Sequence, residues 1–396
     1  MNPPLARIVV LGATGIFGQR PARRLVEWPD ASVVLAARGR AALEVLRRTL
    51  EADGAANPVE VAVLDRQSPA GLEDLRPWAI VDCAGPFQAS DYRLAKAALE
   101  ARAHYLDLAD GRAFVAGFVS IVDEPARLAG LCAVTGASSS PALSHAAIAR
   151  VTRGWRGVDR IEAAIAPGAR APRGKSVVRA ALSWVGRPVR VFVAGEWRSR
   201  PGWGLLRRAE MVGLGSRWLS LAETPDLDVQ VEAFQPRRDA LFLAGLEMSA
   251  EHLGLWLLSW LVRVGLMRNL EPLAGILPKL SAPISRFGSD RGGMSVIVQG
   301  LDADGEPAIG RWSLCAEAGQ GPFVPILPAA AVLRAWLDGR ADPGATVCAG
   351  LVDLDSIMQQ GEGLSIRTSL QFSSPADRSL TRRLLGAAFD ELPRAV

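Results

Sequence analysis

Histidine, cysteine and tyrosine are scarce in this chain, with three, four and two copies in 396 residues. Cys83, Cys132, Cys315 and Cys348 lie far apart with no C-x-x-C pair, and no signal-peptide pattern precedes the first strand-like run. This argues against a disulfide framework and for free thiols in a cytoplasmic compartment. His104, His145 and His252 have no ligand spacing with one another or with a cysteine, so no metal site is expected. Long apolar runs are missing too. The longest, Leu253 to Leu266, has 14 residues and contains Arg263, whereas a bilayer span takes about 20. The formal net charge is only +4 and the basic residues are scattered, which excludes the dense basic stripe of a nucleic-acid-binding surface. Of the two tyrosines only Tyr92 has a lysine four residues on, Lys96. The pair falls on the helix expected before the fifth strand, where a short-chain-dehydrogenase centre is not expected.

The length exceeds what one hydrophobic core usually organises, so two domains are expected. The first third alternates short apolar runs with helical patterns, the signature of parallel βαβ units. Strands are predicted at 7–11, 32–37, 59–64, 79–84, 105–108 and 131–134, with helices between them such as the one carrying Leu43, Leu46 and Leu50. The fold class is therefore α/β: an N-terminal doubly wound parallel sheet of the Rossmann type over 1–153, then a mixed or antiparallel α+β domain over 154–325. A helix over Pro141 to Arg153 joins the two. The second domain shows a strand at Arg160 to Ala166, an Ala194-Gly195 turn and an Asp302-Ala303-Asp304-Gly305 hairpin. It also carries a helical insertion at about 242–280. Residues 326–354 read as a helix packing back on the first domain, and 355–396 as a tail.

Gly12-Ala13-Thr14-Gly15-Ile16-Phe17-Gly18 follows the first strand and opens a helix, the context a dinucleotide fingerprint requires. The glycines allow a tight turn, close backbone approach to a pyrophosphate and close helix packing, and the phosphates would lie on N–H groups at the helix start. Pro21 is tolerable only in that helix's first turn. Where NAD-binding folds place an acid at the end of the second strand, this chain has Ala36-Ala37-Arg38-Gly39-Arg40. A guanidinium without the acid favours a 2′-phosphate, held by Arg38 and neutralised by Arg40, and hence NADP over NAD. Asp65, after the third strand, is placed to accept from the adenine amine. Ala84-Gly85-Pro86-Phe87, after the fourth, would curve over the cofactor.

These motifs, with V-D-C-A-G-P-F at 81–87, H-Y-L-D-L-A-D-G at 104–111, T-G-A-S-S-S-P-A-L-S at 135–144, L-D-A-D-G at 301–305, G-P-F-V-P at 321–325 and C-A-G-L at 348–351, resemble the saccharopine dehydrogenase-like reductase family. The resemblance runs to about residue 354. It implies an NADP-binding Rossmann domain, a mixed-sheet second domain and a homodimer. Saccharopine-forming members carry Pro-Gly where this chain has Pro141-Ala142, so amino-acid substrate chemistry is not carried over. Relatives with a similar opening include enoyl reductases of lipid biosynthesis, which makes a lipid-like substrate a reasonable expectation beside a small carbonyl or imine. The stretch 379–396 resembles the start of a further domain.

Hydride transfer asks the protein for orientation, exclusion of water and a proton donor or acceptor. Asp107 and Asp110 flank the end of the fifth strand and are candidates for acid and base, although Asp110 before Gly111 also suits a turn. In the second domain the loop Arg170 to Ser176 offers Arg173 and Lys175, either as a carboxylate or phosphate contact, with Lys175 a candidate proton donor, or as a solvated basic loop. Ser138, Ser139 and Ser140 precede Pro141 and read first as caps of the following helix. His145 reads as a packed histidine. The expected function is an NADP(H)-dependent oxidoreductase acting on a small or lipid-like carbonyl, imine or enoyl group. Against it stands an idle NADP-binding protein working in assembly or at a membrane surface. The segment 253–266, with Trp256, Trp260 and flanking Arg263 and Arg268, is either a core or dimer helix or a peripheral membrane contact.

Overall fold

In a computed structural model the structure describes residues 5–172 and 174–374. The apolar runs of the first third form strands β1 (Ala6–Leu11), β2 (Ala31–Ala37), β3 (Val59–Val63), β4 (Ala79–Asp82), β5 (His104–Asp107) and β6 (Cys132–Thr135). Between them run helices α1 (Gln19–Leu25), α2 (Arg40–Ala52), α3 (Arg93–Glu100) and α4 (Arg112–Ala129). The strands are apolar on both sides because both faces are covered. Ile8, Val10 and Leu35 join one core with Leu43, Leu46 and Leu50 of α2. Val9, Leu11, Ile80 and Tyr105 join the other with Leu94 of α3 and Phe118 of α4.

Helix α5 (Ser144–Val151) leads out of this sheet. The second domain begins with β7 (Gly157–Ala166) and continues through α6 (Lys175–Trp184), β8 (Pro188–Val193), β9 (Glu196–Pro201), β10 (Arg207–Met211), β11 (Gly215–Leu221), α7 (Asp226–Phe234) and β12 (Asp239–Ala244). Two insertion helices follow, α8 (Ser249–Arg263) and α9 (Leu277–Ser285), and then the long hairpin of β13 (Gly292–Leu301) and β14 (Pro307–Ala316). Phe242, expected at the head of the helical insertion, is instead a buried residue of β12. The insertion begins at Ser249.

Helix α10 (Leu327–Leu337) packs against α1, and β15 (Gly344–Val347) then adds a seventh parallel strand beside β6. The first sheet thus runs β15-β6-β5-β4-β1-β2-β3, so the order reverses between β1 and β4. That reversal opens a crevice beyond the carboxyl ends of the strands. The tail expected over 355–396 is corrected for its first part: α11 (Leu354–Gln359) packs on α10, and β16 (Ile366–Ser373) pairs antiparallel with β14. The resemblance noted over 379–396 lies outside the described residues. The second sheet is mixed, in the order β10-β11-β12-β7-β13-β14-β16, with the β8–β9 hairpin branching from β12. The α/β class with a Rossmann sheet and a mixed second sheet is therefore the observed architecture.

A candidate dinucleotide crevice

The glycine loop lies where β1 hands over to α1. Gly12 takes a φ of +81°, which favours glycine, and a Cβ added there would sit 3.0 Å from the Ala84 nitrogen and the Cys83 carbonyl carbon. A Cβ on Gly18 would fall on the Gly12 carbonyl. The loop is therefore tight enough to exclude side chains at both ends. Its inner N–H groups are engaged: Gly12 and Ala13 donate to Ala36 O, and Gly15 to Gly12 O. Among the described residues the N–H groups of Thr14, Ile16, Phe17 and Gly18 find no protein acceptor. Two carbonyls are tied off instead, Thr14 O by Gln19 Nε2 at 3.1 Å and Ile16 O by an Arg20 guanidinium nitrogen at 2.7 Å. A cradle of free donors with its acceptors occupied fits an anion such as a pyrophosphate. Helix α1 has only seven residues, so the loop amides carry that fit more than the helix start does. Pro21 is its third residue, where a missing N–H breaks no helical bond.

Arg38 follows β2 directly, is exposed, and forms no ion pair among the described residues. Arg40 is partly engaged, 3.6 Å from Glu44 on its own helix. Asp65 is half-buried after β3, where one carboxylate oxygen accepts the Gln67 N–H at 2.9 Å. After β4, Ala84 N–H donates to Asp82 Oδ1 at 2.9 Å, and Ala84, Gly85 and Pro86 stay half-exposed beside the glycine loop. Phe87 departs from expectation. Its ring is buried in the core against Phe114, 5.4 Å away between centroids, so only its backbone can line the crevice.

Beneath this floor sits an ion pair that sequence reading missed. Asp82 and Arg66 are both buried, with Nε 2.7 Å from Oδ2, and the Tyr105 hydroxyl donates to the same oxygen at 3.1 Å. The Arg66 guanidinium lies 5.0 Å from the Phe87 ring centroid and 5.8 Å from that of Phe114. Asp82 thus holds Ala84, and Ala84 is the surface against which Gly12 packs.

The two candidate acids behave differently. Asp107 is sealed at 0 % exposure. Its Oδ1 accepts from Gly136 N (2.8 Å), Thr135 Oγ1 (2.9 Å) and Ala109 N (3.0 Å), while Oδ2 has no partner. Burial pushes its carboxyl up to about 7 against the opposing pull of those donors. A carboxyl in this position fixes the β5 and β6 crossover loops and does not meet a substrate. Asp110 is exposed just past β5, where Gln88 Nε2 donates to it at 3.1 Å.

Asp107 predicts a measurable pH dependence. In the unfolded chain its carboxyl titrates near the usual ~3.9, whereas the folded value is about 7. Between those values the folded state holds the proton that the unfolded state releases, so its contribution to stability is full below about pH 4 and lost as pH rises through about 7. Asp107→Asn removes this loss. Thermal melts of the two proteins should show the variant gaining at least about 3 °C on the wild type between pH 5 and pH 8; a gap independent of pH counts against a raised carboxyl.

Lys175 is exposed at the first position of α6, and a Cβ on the preceding Gly174 would lie 3.7 Å from Ile16 Cδ1. The second domain therefore brings Gly174, the residue before Lys175, to the glycine loop. Arg173 lies outside the described residues. The domains are further tied by Arg112, which makes two 2.5 Å contacts with Asp228 of α7 and one of 2.6 Å to Arg190 O.

The serines do not cap. Ser138 makes no side-chain bond to the following turn, whereas Ser140 and Ser144 both donate to the buried carboxylate of Asp226, which Gln230 Nε2 also reaches at 3.2 Å. Burial raises Asp226 above the usual carboxylate range, and the serine hydroxyls lower it again. This knot joins the two domains. His145 is packed on Phe234 at 4.8 Å. The Tyr92 hydroxyl donates to Phe114 O at 2.9 Å, away from the crevice. No cluster of His, Cys, Asp and Glu among the described residues is arranged to hold a metal.

The fold and crevice define a two-domain protein with a Rossmann sheet and a facing mixed-sheet domain. No family model matches the chain, and no curated protein does. Among solved structures, the L-glutamate-forming saccharopine dehydrogenase of Saccharomyces cerevisiae superposes with a TM-score of 0.64 over 92% of this chain and 100% of its own, at 11% identity. The DAP dehydrogenase of C. glutamicum and an engineered D-amino acid dehydrogenase bound to NADP+ each give 0.47 at 14% identity, over 90% of this chain and 99% of theirs. The resemblance to saccharopine dehydrogenase-like proteins read from the motifs is thus matched in the fold.

Proposed function

We propose that the chain is an NADP(H)-dependent oxidoreductase that acts on a small or lipid-like carbonyl, imine or enoyl group held between the two domains. The observation that carries this reading is the set of unengaged amides at Thr14, Ile16, Phe17 and Gly18, with Arg38 exposed and unpaired at the neighbouring strand end. The loop would hold the pyrophosphate, Arg38 the 2′-phosphate, and Asp65 the adenine amine through its remaining acceptor sites. A nicotinamide cofactor supplies or accepts the hydride. The protein's part is to place the substrate, exclude water and manage a proton. Asp110 is suited to the last task because it is an exposed carboxyl just past the end of β5, held by Gln88. Lys175, exposed beside Gly174 where the second domain meets the glycine loop, is suited to an anionic or carbonyl oxygen of the substrate.

The cofactor half is tested by fluorescence titration with NADPH and NADH. Losing a charge-assisted contact costs about 1.5–3 kcal/mol, so Arg38→Ala should weaken NADPH binding roughly 10- to 100-fold. NADH binding should change less than about threefold, since it lacks the phosphate. Equal weakening of both coenzymes, or no binding of either by the wild type, overturns the reading.

A further inference from the structure

The insertion helices expose far more apolar surface than the rest of the fold. Of 21 large apolar side chains exposed among the described residues, eight fall between Leu257 and Phe287. Helix α8 has one buried side, where His252 and Ser259 are at 0 % exposure and Gly186 lies so close that a Cβ there would be 2.5 Å from Ser259 O. The His252 imidazole is locked between Ser220 Oγ at 2.9 Å and the Leu246 N–H at 3.3 Å, and burial pushes its pKa down to about 4, so this face stays uncharged. On α8's other side, Leu257, Trp260 and Val264 recur at helical spacing and are 62%, 46% and 60% exposed. Helix α9 repeats the pattern with Leu280, Ile284 and, just past its end, Phe287. The Ser285 hydroxyl donates to Glu251 at 2.6 Å and ties the two helices together.

Charge on this surface leans basic. From 249 to 289, the stretch that carries both helices, there are four cations, Arg263, Arg268, Lys279 and Arg286, against two acids, Glu251 and Glu271, and Glu251 is hydrogen-bonded to Ser285. Two of the cations sit on the aromatic rings: Arg263 is 5.0 Å from the Trp260 centroid, and Arg286 is 4.7 Å from that of Phe287. A guanidinium stacked on a ring that is itself exposed suits a boundary, with the ring entering an apolar phase and the charge remaining at its polar edge. No helix among the described residues is long and apolar enough to cross a membrane. We propose that α8, α9 and Phe287 form a docking face for an anionic lipid bilayer, lying in the headgroup boundary with Leu257, Trp260, Leu280 and Phe287 inserted and the exposed cations Arg268, Lys279 and Arg286 on lipid phosphates. A second copy of the chain fits less well, because self-pairing would bring these cations against their own kind.

The test is vesicle flotation of the full chain, with 1:1 phosphatidylglycerol and phosphatidylcholine vesicles beside pure phosphatidylcholine. The expected result is binding to the anionic vesicles at least about tenfold stronger than to the neutral ones, weakened by 0.5 M salt as surface attraction is screened. Trp260→Asp with Phe287→Asp should abolish it, and Lys279→Glu with Arg286→Glu should reduce it at least about tenfold. All four positions are exposed, so both variants should keep the wild-type melting temperature and NADPH titration. Failure of the wild type to float with anionic vesicles, or flotation unchanged in both variants, overturns the proposal. So does sedimentation showing a dimer that Trp260→Asp dissociates, in a protein that binds no vesicle.

Discussion

Arg66→Ala should lower stability by about 3–5 kcal/mol, because it leaves the Asp82 carboxylate buried without a counter-charge. Asp82 is at 0 % exposure and cannot recover water, and its Oδ2 would keep only the Tyr105 hydroxyl at 3.1 Å. The substitution also removes the guanidinium from the Phe87 and Phe114 rings and leaves a void in a close-packed region. Melting should fall by about 4–6 °C. Replacing both partners by apolar residues of similar size, Arg66→Met with Asp82→Leu, should recover part of the loss, since removing an entire buried pair is far cheaper than stranding one charge. A double variant no more stable than Arg66→Ala, or a single variant within about 1 kcal/mol of wild type, would show that the pair is not what holds this region. The effect reaches the crevice as well. Asp82 Oδ1 fixes Ala84 N–H at 2.9 Å, and the Ala84 backbone sets the position of Gly12.

That ion pair illustrates what the sequence made legible and what it did not. The parallel strands, the glycine loop and the Asp302 to Gly305 hairpin are local patterns, written in apolar runs and turn residues a few positions apart. The structure has them all. Arg66 and Asp82 are 16 residues apart, and Asp226 is 86 from Ser140. Nothing in either neighbourhood marks such pairs, because their partners are chosen by sheet order and domain docking. Strand β15 is similarly hidden. Gly344 to Val347 is too short to show a period, and it is recruited by pairing with β6 and by Asp123 of α4, which accepts the Ala345 N–H at 2.8 Å. Strand β16 was within reach: Ile366, Leu370 and Phe372 alternate with polar residues, a period-two signal in a stretch read as tail. Asp107 shows the opposite limit. Its place at a strand end made it a candidate acid, but only the fold reveals that three donors and complete burial turn it to a holding role.

The glycine loop separates folding from binding, and two single substitutions should show it. At Gly18 a methyl group would overlap the Gly12 carbonyl, an atom of backbone that cannot swing aside. Gly18→Ala should therefore displace α1 from β1, lower the melting temperature by several degrees and abolish dinucleotide binding with it. Gly15 is different. It is exposed, its φ is not positive, and an added Cβ meets only Gly12 O at 3.1 Å, so the loop has to yield by a few tenths of an ångström, against outright overlap at Gly18. The methyl would nevertheless be carried by the residue between the free amides of Thr14 and Ile16, where a phosphate must come within hydrogen-bonding distance of the backbone. Gly15→Ala should leave melting within about 1 °C of wild type. It should also weaken NADPH at least about 30-fold, as expected if one or two charge-assisted bonds are lost. Isothermal titration beside thermal melting reads both quantities. If Gly15→Ala binds NADPH as tightly as wild type, the cofactor phosphates do not rest on this loop, whatever Gly18→Ala does to the fold.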